Sequence, residues 1–452
     1  MPAAAHASLR DPLLERALRD FETAAAHLPD AIVPQAARRR AAEQFTRLGW
    51  PSSRDEQWRY ANLRALERIA TFAPAAARGA EPGLEPQLGP GLELPAPLPG
   101  FRRLLFIDGV RSTHADATGA GADSGALTVC GDAGAPDMAS IVTLSDEATP
   151  WAPEQRLGLL GEMFAQDGVV LQIAGAAAVE LLFVTGAHAS AAVYPRVQLQ
   201  LAPNSSLTLI ERHLGAPAAP VLVCANVTVD LGRGAQLQHY RLQQYGPHVL
   251  FNDSLRARVQ QDANYRVRQI VIGADSTRTS ADVRLAGRGA ALSWQAIAIG
   301  RGGQVHDTTL KVEHAAPATH TEEVFRGIAD ERSRLAFSGH VLIQPGAAGA
   351  QARQSLRGLI EGAAAEIDLR PRLEIHTDEV SAQHGATTGR LDENLLFYLL
   401  SRGIDRRSAR ALLKWAFLGD VLRAIELPSL REQAERGAAG VLQDVPAIGA
   451  LA

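Results

Sequence analysis

From about Phe101 onward, apolar and polar residues alternate in short runs separated by turns of Gly, Asp, Asn and Ala. Four segments lie over one another: LQLAPNSSLTLIERH, VTVDLGRGAQLQHYRLQ, RARVQQDANYRVRQIVI and VRLAGRGAALSWQAIAI. The small residue after each turn falls at Ser206, Ala235, Ala263 and Ala290. That spacing of roughly 28 residues is in the range where internal repeats signal a solenoid or propeller. Val227, Val229 and Leu231 share one parity, as do Val267 and Val271 with Gln269 as the exception, so one face is buried and the other wet. Turns this short cannot hold a crossover helix, which argues against a doubly wound α/β fold. A β-helix meets these demands, each coil burying its inner face and pairing its edges with the coils above and below. A sandwich alternates similarly but needs no near-constant period.

The two ends of the chain change period. QAARRRAAEQFTRLG has helical spacing and stops at Gly49 and Pro51. SSRDEQWRYANLRAL predicts a second helix, with Ser53 and Glu56 as a capping box and Trp58, Tyr60 and Leu63 as its apolar surface. The Pro-, Gly- and Ala-rich stretch that follows reads as a linker or irregular excursion. Beyond Arg390, Asp392 caps a helix that Gly403 stops, Asp405 or Ser408 opens another, and a weaker pattern follows Pro428. The expected organisation is a helical region over 1–72, a linker over 73–100, a β-helix core over 101–390 and a C-terminal helical domain over 391–452.

At 452 residues the chain exceeds the size of one compact core. Its formal charge of −4 gives no electrostatic case for nucleic acid or an anionic membrane. The apolar stretch GVVLQIAGAAAVELLFVTG from Gly168 contains Gln172 and Glu180 and suits buried strands better than a membrane span. The N-terminus carries charges where a signal peptide needs an apolar run, so a cytosolic protein is expected. Cys130 and Cys224 are far apart, too few for a self-contained iron–sulfur site, and read by default as buried or incidental thiols.

Candidate chemistry is sparse. No GxxxxGK[ST] phosphate loop occurs, and the GRGAA and GRGGQ sequences at Gly287 and Gly300 read as turns. Acid pairs at Glu322–Glu323 and Asp330–Glu331 would suit a carbohydrate-active β-helix, a lyase or hydrolase, but aromatic residues for sugar platforms make up only 5%. His306, His314 and His320 have no carboxylate spacing that fixes a metal site and are expected to be solvated. The stretch LEIHTDEVSAQHGATTGRLDENLLFYLLSRG from Leu373 is more pointed. It starts as a strand, is expected to turn beside His384, and ends as an amphipathic helix. Leu373 and Ile375 take core parity, which sends Glu374, His376 and Asp378 outward; Val380, Ala382 and His384 follow the same outward parity if the strand continues. Imidazole and carboxylate are sound iron ligands, although a histidine that only hydrogen-bonds a turn would look the same.

HTDEVSAQHGATTGRLDENLLFYLLSRGI resembles the C-terminal signature of the SufB/SufD family of iron–sulfur cluster assembly scaffold proteins. GWPSSRDEQWRYANLRAL and FSGHVLIQPGAAGAQARQSLRGLI agree with the SufD branch of that family. The resemblance implies a right-handed parallel β-helix flanked by helical parts, and a non-enzymatic scaffold role. It implies pairing with a SufB-like paralogue through the β-helices, and binding of a SufC-like ABC ATPase, the user of ATP, through the C-terminal helices. A homodimer is possible without those partners. No cofactor is expected to stay on this chain alone; a nascent cluster would sit at the SufB interface. His384 is the residue carried over to that interface, as a ligand shared with the partner. The family commonly reads Cys-Ser-His-Gly-Ala-Thr where this chain has Ala382, Gln383, His384, Gly385, Ala386 and Thr387, so a thiolate beside His384 is excluded. For the ATPase contact, Lys414, Trp415, Phe417 and Leu418 are the candidates, since residues two apart on a helix do not share a face.

Overall fold

The computed structural model describes residues 11–74, 93–112, 117–118, 127–129, 151–187, 189 and 191–442. Most of the expected linker, and Cys130, lie outside these residues. Strands of about ten residues alternate between two sheets, one of 11 strands and one of 10. Val221–Leu231 pairs in parallel with Val249–Val259, residue for residue, Val221 opposite Val249. On the other sheet Gln236–Tyr245 pairs with Asn264–Gly273 in the same way. Pairing is parallel throughout the body and antiparallel only among short strands at its N-terminal end. Parallel rungs without crossover helices make this a β-helix and exclude the sandwich.

The turns are themselves stacked. Asn204, Gly234, Asp262, Gly289, Ala318 and Gly349 all hold positive φ at the corresponding place in successive coils. Each sends its backbone N–H forward to a carbonyl in the next coil, from Asn204 to Arg233 through to Gly349 to Glu379. The small residue beside this column is Ser205, not Ser206. Ser206 pairs with Gln236, so Ser205 is the residue in register with Ala235, Ala263 and Ala290, and all four are buried.

Between the sheets runs one apolar core that includes Leu209, Val229, Val267, Trp294, Leu310, Phe337 and Leu356. Gln269, the break in the alternation, faces this interior and donates to Thr279 Oγ1 at 3.1 Å. A charged group is also enclosed there. Arg241 forks onto Asp253 at 2.8 and 2.9 Å and reaches Glu211 Oε1 at 2.8 Å, while His239 bridges Glu211 Oε2 and the Tyr265 hydroxyl. Opposed charges and hydrogen bonds outweigh desolvation, holding Glu211 well below the usual carboxylate range and Arg241 above its ordinary value.

Helices cover both outer faces. Helices α1 (Pro12–Ala24), α2 (Gln35–Leu48) and α3 (Gly158–Phe164) pack with Leu222, Cys224 and Leu250 on the outside of the 10-stranded sheet. The helix α3 therefore interrupts the stretch read from sequence as continuous β-helix. The segment after Pro51 forms only 3-10 turns, Glu56–Trp58 and Leu63–Arg68, and Ser53 caps nothing. Tertiary contacts override the capping signal: the Arg278 guanidinium, paired with Asp307, lies 3.9 Å from the Trp58 ring centre and donates to the Gln57 carbonyl. Helices α4 (Glu393–Ser401), α5 (Arg406–Arg423) and α6 (Pro428–Leu442) follow the last coil. Of these, α5 and α6 bury Leu418, Val421, Leu422, Leu430 and Ala434 against Ile270, Ile297 and Ile328 outside the 11-stranded sheet. Among the described residues no helix is long and apolar enough to cross a membrane.

Two stability predictions follow from this packing. Gly273 has φ +75°, and a Cβ there would meet the Tyr245 carbonyl oxygen at 1.9 Å. Gly273→Ala should lower unfolding stability by on the order of 2 kcal/mol or more in urea melts, whereas Gly303→Ala, with nothing within 4 Å, should be near neutral. Glu323 is enclosed between the sheets, and burial pushes its carboxyl from 4.5 up to about 8 against an opposing hydrogen bond from Gln354. The folded state then holds a proton that the unfolded chain releases, so this group's contribution is intact below pH 4.5 and is lost as pH rises towards 8. Glu323→Gln should gain on the wild type between those values, with a slope approaching about 1.4 kcal/mol per pH unit. Urea melts at pH 5 and pH 8 measure the difference.

Candidate functional site

The last coil consists of Glu366–Ile375 at the end of one sheet and Val380–Gly389 at the end of the other. Among the described residues no further strand pairs with either outer edge. Ile375 stacks on Ile343 in the inner column, yet it is 41% exposed because no coil covers it. The β-helix thus ends open, with unpaired backbone groups and uncovered interior side chains.

His384 stands in the middle of Val380–Gly389, opposite Gln354. The expected turn beside it is absent; the chain turns at residues 376–379, and the strand then runs through Gly385 without a break. Its direction is also corrected. Val380 and Ala382 lie over Ala350 and Ala352 and pack on the interior cluster, so His384 has inner-face parity. Counting parity continuously from Leu373 failed because the 376–379 connection resets it. The column beneath His384 runs Trp294, Glu323, Gln354. His384 itself is exposed at the open end.

Glu374 does point outward, but on the other sheet. His376 Nε2 lies 3.2 Å from Glu374 Oε1, and His340 Nε2 and Arg372 Nη2 lie 3.3 and 3.2 Å from Oε2. The hydrogen bond from His376, aided by His340 and Arg372, holds Glu374 below the usual carboxylate value. Asp378 sits exposed in the connection. The six residues read as one outward row are therefore divided: Glu374 on an outer face, His376 and Asp378 in the connection, and Val380, Ala382 and His384 in inner columns. Among the described residues no group of three or more His, Cys, Asp or Glu side chains is placed to hold a metal ion.

Other sequence candidates are placed elsewhere. His306 and His314 are buried rather than solvated, and burial pushes both imidazoles down to about 4. The two His314 nitrogens meet the hydroxyls of Thr319 and Thr321. His320 is exposed at the start of a strand in the opposite sheet. Glu322 and Glu323 lie on opposite faces of one strand, so they form no acid pair in a cleft. The Cys224 thiol is enclosed against the Leu157 carbonyl, and burial pushes it up to about 12, which leaves it protonated and inert.

The helices emerge directly from this end. Asp392 Oδ1 accepts the Asn394 N–H at 2.8 Å to start α4, Gly403 follows its end with φ +83°, and Asp405 accepts the Ser408 N–H to start α5. In α5, Lys414 Nζ and Arg410 Nη2 both reach Glu361 Oε2, at 2.9 and 2.6 Å, while Leu418 is fully buried. Trp415 and Phe417 are half-buried against the cluster beneath α5 and α6. Two of the four residues offered as a partner surface are therefore engaged inside the chain. The exposed apolar side chains are on α4 instead: Leu395 at 53%, Phe397 at 72% and Tyr398 at 54%. The sequence did carry that signal, since α4 has apolar residues all round a nine-residue helix and can bury only one side.

A sequence profile described as "SUF system FeS cluster assembly, SufBD core domain" matches residues 183–417. The chain is 27% identical to the "Iron-sulfur cluster assembly protein SufD" of Escherichia coli, over 86% of this chain and 89% of that protein. It is 26% identical to an iron-sulfur cluster assembly SufBD family protein of Synechocystis, over 87% and 88%. A shorter match, 32% identical over 30% of this chain and 31% of the relative, is to the "Iron-sulfur cluster assembly protein SufD" of Bacillus subtilis. With the profile spanning more than half of its length, this chain belongs to the SufB/SufD family of iron–sulfur cluster assembly proteins.

Proposed function

We propose that this chain is a non-catalytic scaffold subunit of an iron–sulfur assembly complex, pairing through its last coil with a SufB-like paralogue and presenting α4 to a SufC-like ATPase. The observation that carries this reading is the open end of the β-helix, with His384 at its centre and, among the described residues, no strand on the outer edge of either last strand. Unpaired strand edges recruit another chain by backbone hydrogen bonding, and the uncovered inner column gives that chain an apolar seat. His384 then lies within the joint, where its imidazole is one ligand for the growing cluster. The cluster is cargo, and with Ala382 beside the histidine its thiolates come from the partner. Glu374, His376 and Asp378 line the rim as weaker contacts. The exposed Leu395, Phe397 and Tyr398 form the ATPase surface, with the half-buried Trp415 and Phe417 supporting it from α5.

Co-expression with SufB-like and SufC-like proteins tests the whole reading. A stable three-component complex that gains cluster absorbance under anaerobic reconstitution is expected; a chain that stays alone would sink it. Within that complex His384→Ala should leave assembly intact and lower cluster yield. An unchanged yield would remove His384 from the site. On α4, Phe397→Asp should weaken retention of the ATPase by more than about tenfold while the paralogue stays bound, as expected for an exposed aromatic anchor. Equal retention in a pull-down would place the ATPase elsewhere.

A further inference from the structure

The column that ends at His384 carries a second feature. Glu323, Gln354 and His384 occupy one inner-face position on three successive rungs. Gln354 Nε2 donates to Glu323 Oε2 at 2.9 Å and lies 3.1 Å from the Gly339 carbonyl. The Gly339 carbonyl can only accept, so the amide atom facing it is the nitrogen and the opposite atom is the carbonyl oxygen. That atom, Gln354 Oε1, is buried and has no hydrogen-bond partner; Glu323 Oε1 is in the same condition. Gly339 makes room for the pair, because a Cβ there would lie 2.4 Å from Glu323 Oε2 and 2.6 Å from Gln354 Nε2.

A buried amide oxygen without a donor is destabilising, and on this column the next rung offers a ring that can donate. Among the described residues no coil lies beyond His384, and His384 is exposed at the open end, so the imidazole has space to turn back over the column. We infer that Glu323 and Gln354 are positioning residues for His384: Glu323 holds the Gln354 amide, whose oxygen accepts a hydrogen bond from one ring N–H and leaves the other ring nitrogen as a lone pair facing the open end. This rests on the reading of His384 as a cluster ligand. A hydrogen bond to one nitrogen of a ligating histidine fixes the tautomer and the ring plane. The burial that keeps Glu323 protonated at neutral pH supports the arrangement, since an ionised acid beneath the site would repel a cluster bound by thiolates.

The test uses full-length chain with ring-15N histidine, the His384 signals being assigned by their loss in His384→Ala. In the wild type one His384 tautomer should dominate by about tenfold, the bias of one ordinary hydrogen bond. Gln354→Leu and Glu323→Leu should bring the two tautomers towards equality, while Glu323→Gln, which keeps a carbonyl acceptor for Gln354, restores the bias. Evenly populated tautomers in the wild type, which needs no variant to fold, would overturn the inference, as would an unchanged ratio in Gln354→Leu. In the three-component complex Gln354→Leu should lower cluster yield by roughly tenfold, the usual scale for losing a ligand's outer partner. A ratio that responds to Gln354→Leu while His384→Ala leaves cluster yield untouched refutes the functional reading and preserves the positioning role. A yield that collapses in His384→Ala but not in Gln354→Leu, with the ratio unmoved, refutes the positioning role alone.

Discussion

The rest of this molecule depends on the requirement that each coil's backbone groups be paired by the coils beside it. A β-helix satisfies its peptide N–H and C=O groups only between neighbouring turns, so every interior coil is stabilised from both sides and each end from one. The N-terminal end is finished by short antiparallel strands, Val110–Arg111 against Arg102–Ile107 and Leu127–Val129 against Val169–Ile173. The C-terminal end has no such closure among the described residues, and His384 sits there. The same physics that builds the body therefore defines the surface at which the protein is incomplete.

How much of this the sequence showed depends on what kind of regularity was involved. The rung-to-rung register imposes a repeat near 28 residues and an alternation of period two, and both survive in the sequence as Val227, Val229, Leu231 and the column through Ala235, Ala263 and Ala290. Helix ends were legible for the same local reason, as Asp392, Gly403 and Asp405 act within a few residues of themselves. What could not be read were features set by distant contacts. Trp58 was assigned to a helix because nothing local announces Arg278 from more than two hundred residues away. Lys414 reads as a partner contact because nothing near it in sequence announces its ion pair with Glu361. Parity counted from Leu373 puts His384 on the wrong face, because parity is conserved along a strand but not through a connection.

The interior is less uniform than its pattern suggests. Glu211, Arg241, Asp253 and His239 form a fully partnered group, and such groups tie a coil to one register because a slip would strand every member. Elsewhere buried polar atoms stay without a partner: His213 Nδ1 and Gln269 Oε1 in the body, Glu323 Oε1 and Gln354 Oε1 nearer the open end.

The forward-reaching turns give the stack a direction. Because the N–H of each positive-φ residue in the column from Asn204 to Gly349 is satisfied by the coil after it, a coil is not finished when its own residues are in place. During synthesis, as the chain emerges N-terminus first, the growing stack always ends in one turn waiting for the next. Gly349 is closed by Glu379 in the final step. Among the described residues the last growth front persists as an open surface whose outer backbone groups no further coil pairs.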